Sequence, residues 1–365
     1  KMFYEVLPQV VSQESDAFYL PTSPTLDRRS GDEHAWGVWF GLEDFSYYSR
    51  HNGRFASEYG LQSLPSRHTL EEVGIDAFTD EALQFRQRSR MDWLEPGFDG
   101  WDMMHYFMSK TTGAPAPENL DDWIFKSQWT QAEGLRQALE RHRTSEDRYA
   151  GSLYWSLNDV WPAVSWSTID HAGRWKLAHY AARRANAPRT ALWMRQREDS
   201  LCLALFNDLP QPTSGILHVA TKDFEGRVVH ETSVPLDVSA RRSLLVNLGE
   251  MALWCGQPFD TYLSWQWQDS TAVWSSSSSA LWRAPVEARL REPFVQCTPV
   301  GGGFELLANT YVPLAQLTAN VPGHWSDNGM ALEPGQTCVV QFTPETPVAT
   351  TDIHAVVRCQ TSVPQ

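Results

Sequence analysis

The sequence predicts a multidomain chain in which an α/β part built on a parallel sheet is followed by β-sandwich structure. Up to about residue 186, apolar runs of strand length alternate at short intervals with stretches of helical periodicity, the pattern of right-handed βαβ units. At Ala187-Pro188-Arg189 the composition shifts. Helical periodicity is then lost, and short alternating strands separated by Pro, Gly, Asp and Asn turns take over, the signature of a β-sandwich. The 365 residues also exceed what one core fills, since single cores stop growing beyond roughly 250–300 residues.

Taken in order, residues 2–16 carry apolar positions at helical spacing and read as a helix kinked or ended near Pro8. Residues 17–20 read as a short buried strand stopped by Pro21-Thr22-Ser23-Pro24, and 25–33 as polar loop. Residues 34–41 are expected as strand, 43–51 as helix and 54–57 as strand. Residues 69–90 look helical, with Thr69 and Glu72 in a capping arrangement. The segment 91–121 is long, aromatic and punctuated by Gly and Pro, and loops of this length are usually functional. Helix is expected again over 122–143, strand over 151–156 and a closing helix over 175–186. The later strands fall at 201–206, 215–221, 228–234, 243–248 and 261–268, with Ser275–Ser279 an edge or loop. A second strand set begins after Ala284-Pro285, so the domains are drawn at 1–188, 189–285 and 286–365. No 20–50-residue period recurs, which excludes a solenoid or propeller.

Composition excludes several function classes. The formal charge of -14 and a pI near 5.2 leave no basic surface for phosphates, so neither nucleic acid nor an anionic membrane surface is an expected partner. No apolar run approaches the ~18 residues of a spanning helix. Five widely spaced cysteines without CxxC or His-rich company point to structural thiols, and no metal or cofactor is expected. The 17 tryptophans favour carbohydrate, because an indole face stacks on sugar C–H groups while its N–H donates, although Trp is also a large core residue. The sequence opens at Lys1 in what reads as mid-helix, so it is read as lacking its natural N-terminus, and targeting is left open.

The chemistry concentrates in Arg54-Phe55-Ala56-Ser57-Glu58-Tyr59-Gly60. A short apolar run ends in a carboxylate, and Gly60 and the Ser63-Leu64-Pro65-Ser66 turn then stop it. Glu58 is thereby expected where a buried strand emerges into a loop, the position at which parallel barrels keep their chemistry. The residues alone admit two readings: a nucleophile or general acid, or a cap or ion-pair partner for the following elements.

Several stretches, in order, resemble the β-mannosidases of glycoside hydrolase family 2. They are Gly31-Asp32-Glu33-His34-Ala35-Trp36-Gly37-Val38-Trp39, the Arg54–Ser66 stretch, Tyr154-Trp155-Ser156-Leu157-Asn158-Asp159-Val160-Trp161, and Ser326-Asp327-Asn328-Gly329 with Pro334-Gly335. The resemblance implies the second half of a (β/α)8 TIM barrel followed by two immunoglobulin-like β-sandwich domains. Residues 17–20, 35–40, 54–57 and 151–156 would be barrel strands 5 to 8. It implies a retaining exo-β-mannosidase with Glu58 as catalytic nucleophile. The acid/base Glu would lie in a missing N-terminal half, the partner without which no hydrolysis is expected. Substrates would be β-mannoside oligosaccharides or glycosides. Trp155 is implied as floor or wall of the sugar pocket, and Asn158 and Asp159 as ligands of sugar hydroxyls or braces of their loop. His34 and Trp36 are implied as sugar contacts, with a purely structural role also open to His34. Tyr59 either orients the nucleophile or fills the mouth. Glu33, Glu43, Asp44 and Asp159 read as loop, cap or binding residues rather than as a second catalytic carboxyl. One departure stands out: similar barrels often place a Tyr at the end of strand 6 against the nucleophile, where this sequence has Phe40. Either Tyr47, Tyr48 or Tyr59 takes that role, or the strand lies in another register. Two alternatives remain open: another family 2 activity on β-glucosaminides, β-galactosides or β-glucuronides, and an inert carbohydrate-binding or scaffold fragment.

Overall fold

A computed structural model describes residues 1–24, 31–50, 53–113, 116–145, 150–195 and 199–360. Residues 25–30 of the expected loop, His51 at the end of an expected helix and the last five residues of the third domain lie outside these.

The chain opens with a π-helical turn, Met2–Val6, that passes into helix α1 (Leu7–Glu14) with Pro8 in its first turn. The break expected near Pro8 therefore takes the form of a change of helix type, at a residue whose missing N–H costs nothing in a first turn. Residues 17–20 form no strand. Phe18 is 88% exposed and no described strand pairs with this segment, so its backbone groups have no ladder to join.

Strand β1 (Asp32–His34), helix α2 (Tyr47–Arg50) and strand β2 (Phe55–Glu58) follow. The strand expected over residues 34–41 is thus displaced. The chain leaves the ladder after His34 and coils through a turn in which the Phe40 and Gly41 amides both donate to the Trp36 carbonyl. Two glycines permit this coil. A Cβ on Gly41 would stand 2.8 Å from the Gly37 carbonyl oxygen, and one on Gly37 would stand 2.4 Å from the Tyr47 ring.

Next come α3 (Arg67–Glu71), α4 (Glu81–Arg86), α5 (Gly100–Thr111), α6 (Leu120–Arg143), strand β3 (Gly151–Ser152) and α7 (Leu177–Ala185). The single helix read over 69–90 is two short ones, and the cap is Ser66, whose hydroxyl accepts from the Thr69 amide. The segment 91–121 is not all loop: Asp99 and Asp102 form a capping box, and Met103, Met104, Phe107, Met108 and Thr111 line the buried face of α5. Strands β1, β2 and β3 form a parallel sheet with β2 in the centre, His34 opposite Glu58 and Ala56 opposite Ser152. Beyond β3 the ladder thins to single bonds from the Leu153 amide to Ala56 and from the Trp155 amide to Tyr59, so the strand expected over 151–156 is regular only at its start.

The rest of the chain is β-rich. Strands β4 (Arg189–Trp193), β5 (Ser200–Asn207), β6 (Thr213–Asp223), β7 (Val228–Val238) and β8 (Arg242–Glu250) precede a short helix α8 (Met251–Cys255), then β9 (Thr261–Asp269) and β10 (Ser275–Leu281). Sheet β4-β5-β8 and sheet β10-β9-β6-β7 enclose one core of Leu203, Leu217, Trp265 and Trp267 among others. The serine run forms β10, an edge strand. Strands β11 (Val295–Val300), β12 (Gly303–Ala308), β13 (Val312–Ala319), β14 (Gly323–Trp325), β15 (Met330–Leu332), β16 (Thr337–Pro344) and β17 (Ala355–Cys359) make sheets β11-β12-β16-β14 and β15-β13-β17 around another core. No disulfide joins the cysteines, and Cys202 is buried while the other four are half-buried. No described helix is long and apolar enough to cross a membrane.

Candidate active site

The site is built where β2 ends. The ladder pairs His34 with Glu58, and the Ala35 amide donates to the Glu58 carbonyl at 2.7 Å, so the turn after β1 is held against the last residue of β2. That turn carries Trp36. The consequence is convergence of two side chains on one oxygen: Glu58 Oε2 accepts from Trp36 Nε1 at 3.1 Å and lies 3.2 Å from His34 Nδ1. A hydrogen bond to a charged carboxylate is stronger than one between neutral groups, and it fixes the carboxylate's orientation. The Glu58 side chain keeps 28% of its surface open. His34 is oriented in turn, with Nε2 2.9 Å from Ser23 Oγ, which donates to Asp32 Oδ2 at 2.8 Å.

The segment after β3 runs beside the end of β2. Trp155 is 48% exposed, and its amide donates to the Tyr59 carbonyl at 2.8 Å. A Cβ on Gly60 would stand 2.2 Å from the Trp155 carbonyl oxygen, so glycine is what lets the two segments close on each other. The Trp155–Ser156 peptide is cis. Asp159 points back into its own loop, where its carboxylate accepts from the Ser165 and Ser167 hydroxyls. Asn158 is exposed and bridges to Ile169 through its backbone. Beneath this loop Lys176 is fully buried and donates to the Ser63 carbonyl at 3.2 Å. Burial pushes its pKa down to about 8, against the opposing pull of Asp159 and Asp170.

Tyr59 is not brought to the mouth. It is fully buried, its hydroxyl 2.7 Å from Ser152 Oγ, which also meets His142 Nδ1. Tyr48 is equally buried and Tyr47 packs against Gly37. Trp36 and His34 are the side chains at Glu58 Oε2, and Phe40 sits in the turn beyond the displaced strand. The residue that sequence reasoning missed is Trp166. Its ring meets Trp36 at 6.2 Å, Trp39 at 6.1 Å and Phe40 at 6.3 Å, backing the indole that holds the carboxylate. No local motif marks it, because its neighbours are brought together only by the fold.

The four other carboxylates considered have local employment. Glu43 pairs with Arg50, Asp44 accepts from the Ser46 amide and is held below the usual carboxylate range chiefly by the Ser46 side chain, Asp159 is taken by serines, and the Glu33 side chain lies against Gly53. Among the described residues no His, Cys, Asp or Glu cluster could hold a metal ion. A cavity of about 740 Å³ lies elsewhere, lined by residues including Arg136 of α6, Ser278 of β10 and Cys338 of β16.

The site thus has a carboxylate at the end of a parallel strand, met by an indole and an imidazole, with a half-exposed tryptophan on the neighbouring segment. Comparison with known proteins shows what the chain is similar to. Residues 290–362 match the mannosidase Ig-fold domain family. Over 212 residues the chain is 31% identical to β-mannosidase B of Aspergillus clavatus, spanning 54% of this chain and 24% of the fungal protein; the β-mannosidase B of Aspergillus niger is 30% identical over 211 residues. The fold is that of the β-D-mannosidase of Dictyoglomus thermophilum (TM-score 0.80, 23% identity, 99% of this chain and 44% of that one). It also resembles the exo-chitosanase CsxA of Amycolatopsis orientalis (TM-score 0.61, 16% identity, 88% of this chain and 44% of that one). These matches support a likeness to the β-mannosidases of glycoside hydrolase family 2. The chain spans about a quarter of the length of the curated relatives it matches.

Proposed function

We propose that this chain carries the nucleophile side of a retaining exo-β-mannosidase, with Glu58 as the attacking carboxylate. The observation that carries the reading is the Trp36 N–H bond and the adjoining His34 ring at Glu58 Oε2. They hold one oxygen and present the other, Oε1, to an anomeric carbon. In a retaining reaction that carbon passes from the leaving oxygen to the carboxylate as an ester, and water then releases it with retention. The Trp36 N–H stabilises the carboxylate as it departs in the second step. A second carboxyl about 5–5.5 Å away must protonate the leaving oxygen. With the described candidates locally engaged, that acid is assigned to a part of the protein outside this chain, and the parallel strands are read as part of a (β/α)8 barrel that it completes. The three cores are read as domains 1–188, 189–285 and 286–365, the latter two as immunoglobulin-like sandwiches. Trp155 is read as one wall of the sugar pocket, β-mannosides as the substrates.

The test is Glu58→Gln in the full-length protein, assayed on aryl β-mannoside beside β-glucosaminide, β-galactoside and β-glucuronide. The substitution keeps shape and removes charge, so mannoside turnover is expected to fall by several orders of magnitude while mannose binding survives. Retention of activity removes Glu58 from the role; preference for glucosaminide transfers the reading to another family 2 β-glycosidase.

A further inference from the structure

Charge is unevenly placed in this acidic chain. The cavity of about 740 Å³ lies between α6, α7, β10 and β16, and Arg136, Arg184 and Arg195 all line it. Its carboxylates are already engaged. Arg136 holds Glu133 at 2.6 Å and Glu140 at 2.7 Å, Arg184 takes Asp327 at 2.5 Å, and Glu333 accepts from Lys222 and the Ser264 hydroxyl. Asp44 and Glu287 accept from the Ser46 and Ala284 amides.

Among the described residues, Arg195 is the exception: its Nε is buried with no hydrogen-bond partner. Its guanidinium lies 3.9 Å over the Trp193 ring, and Trp193 meets Trp282 edge-on with centroids 5.2 Å apart. Trp282 also lines the cavity, and its Nε1 is likewise buried without a partner. Two donor-only groups therefore meet on one ring, against one cavity, each lacking an acceptor. A buried donor left unmatched is costly, and more so when it is charged. Burial pushes the Arg195 pKa down to about 10, and Arg136 presses the same way against the pull of Glu140 and Glu133. Water can accept from an indole, but only an anion both accepts and offsets guanidinium charge.

We propose that this cavity binds an oxyanion of the phosphate class, free or carried on a small hydroxylated molecule, with Arg195 and Trp282 as its donors. The planar fork of an arginine fits a phosphate with two parallel hydrogen bonds. Ser277 and Ser278 of β10 add hydroxyls to the wall, and the volume falls within the range of small-molecule pockets, about 300–1,000 Å³. An occupant touches helices and both β-rich parts at once, so it stabilises the folded protein by mass action.

The experiment is calorimetric titration of the full-length protein with inorganic phosphate, glucose 6-phosphate and glucose at constant ionic strength, repeated on Arg195→Gln and Ser278→Asp. Saturable binding of a phosphate compound and none of glucose is the expected result. Equal affinities assign the site to the free anion, and tighter glucose 6-phosphate binding assigns it to a phosphorylated sugar. Arg195→Gln removes a charged donor and is expected to weaken binding by about tenfold or more. Ser278→Asp changes an exposed position on an edge strand, so the fold is kept while a carboxylate is set against the anion; it too is expected to weaken binding. Absence of saturable binding by either phosphate compound overturns the site. So does binding unchanged by Arg195→Gln, or by Ser278→Asp where the first variant does not fold.

Discussion

At the scale of single residues the account depends on what the Trp36 N–H does for Glu58. Trp36→Phe removes that donor and keeps a ring against Phe40 and Trp166. A hydrogen bond to a charged group contributes about 1.5–3 kcal/mol. In the proposed reaction the loss falls on the second step, where the carboxylate leaves the sugar. We therefore expect kcat to drop at least tenfold, KM to drop with it as the glycosyl-enzyme accumulates, and a burst of aryl leaving group in stopped flow. An unchanged kcat without a burst would remove Trp36 from the mechanism. Lys176 gives a different signature. Its folded pKa of about 8 lies below the ordinary value of 10.5, so between these pH values the unfolded chain holds a proton that the folded chain does not. Stability contributed by this residue must therefore rise as pH climbs through that window, by a total on the order of 3 kcal/mol. Denaturant titrations of the parent and Lys176→Met from pH 8 to 10.5 should diverge in that direction, and a constant difference would contradict it.

At the scale of elements, α5 supports the site from behind. Phe107 on its buried face stacks on Trp39 at 5.7 Å, and Trp39 in turn backs Trp166. The capping box that starts this helix satisfies backbone amides with Asp99 and Asp102, so Asp99→Ala should lower stability by about 1 kcal/mol in chemical denaturation while Asp99→Asn largely preserves it. Equal destabilisation by both would mean that the carboxylate acts other than as a cap. The same helix shows what was legible in the sequence. Its Asp-Gly-Trp-Asp start and its Met-Met-Phe-Met stripe are local signals, present but obscured by the Gly and Pro turns before them. Strand β2 was legible because its apolar run and its glycine stop are contiguous, and the structure moves it by one residue so that Glu58 is its last member. The strand read over 34–41 failed for the opposite reason. Its aromatics have strand-like composition, but Gly37 and Gly41 allow a coil that packs Trp36, Trp39 and Phe40 around Trp166, and only the folded neighbourhood reveals that choice. Residues 17–20 likewise carry strand propensity with no described partner strand to express it.

At the scale of the whole molecule, the site-bearing part is clamped to the C-terminal sheets by two arginines. Arg184 pairs with Asp327 and donates to the Asn328 and Gly329 carbonyls, and Arg174 spans Glu72 and Glu345. Asn328 is 5% exposed and exchanges hydrogen bonds with both backbone groups of Leu317, which explains in structural terms the Ser-Asp-Asn-Gly stretch noted in the sequence. The clamp anchors α7, which follows the loop that carries Trp155 and Asp159. The central claim, that Glu58 is the attacking carboxylate of a barrel completed outside this chain, is tested most directly by covalent trapping. The full-length protein is incubated with a mechanism-based 2-deoxy-2-fluoro β-mannoside, digested, and its peptides are weighed. The account predicts one fluoromannosyl ester, on Glu58, with the 365-residue chain alone hydrolysing nothing; an ester on another carboxylate, or inversion at the anomeric centre, would contradict it.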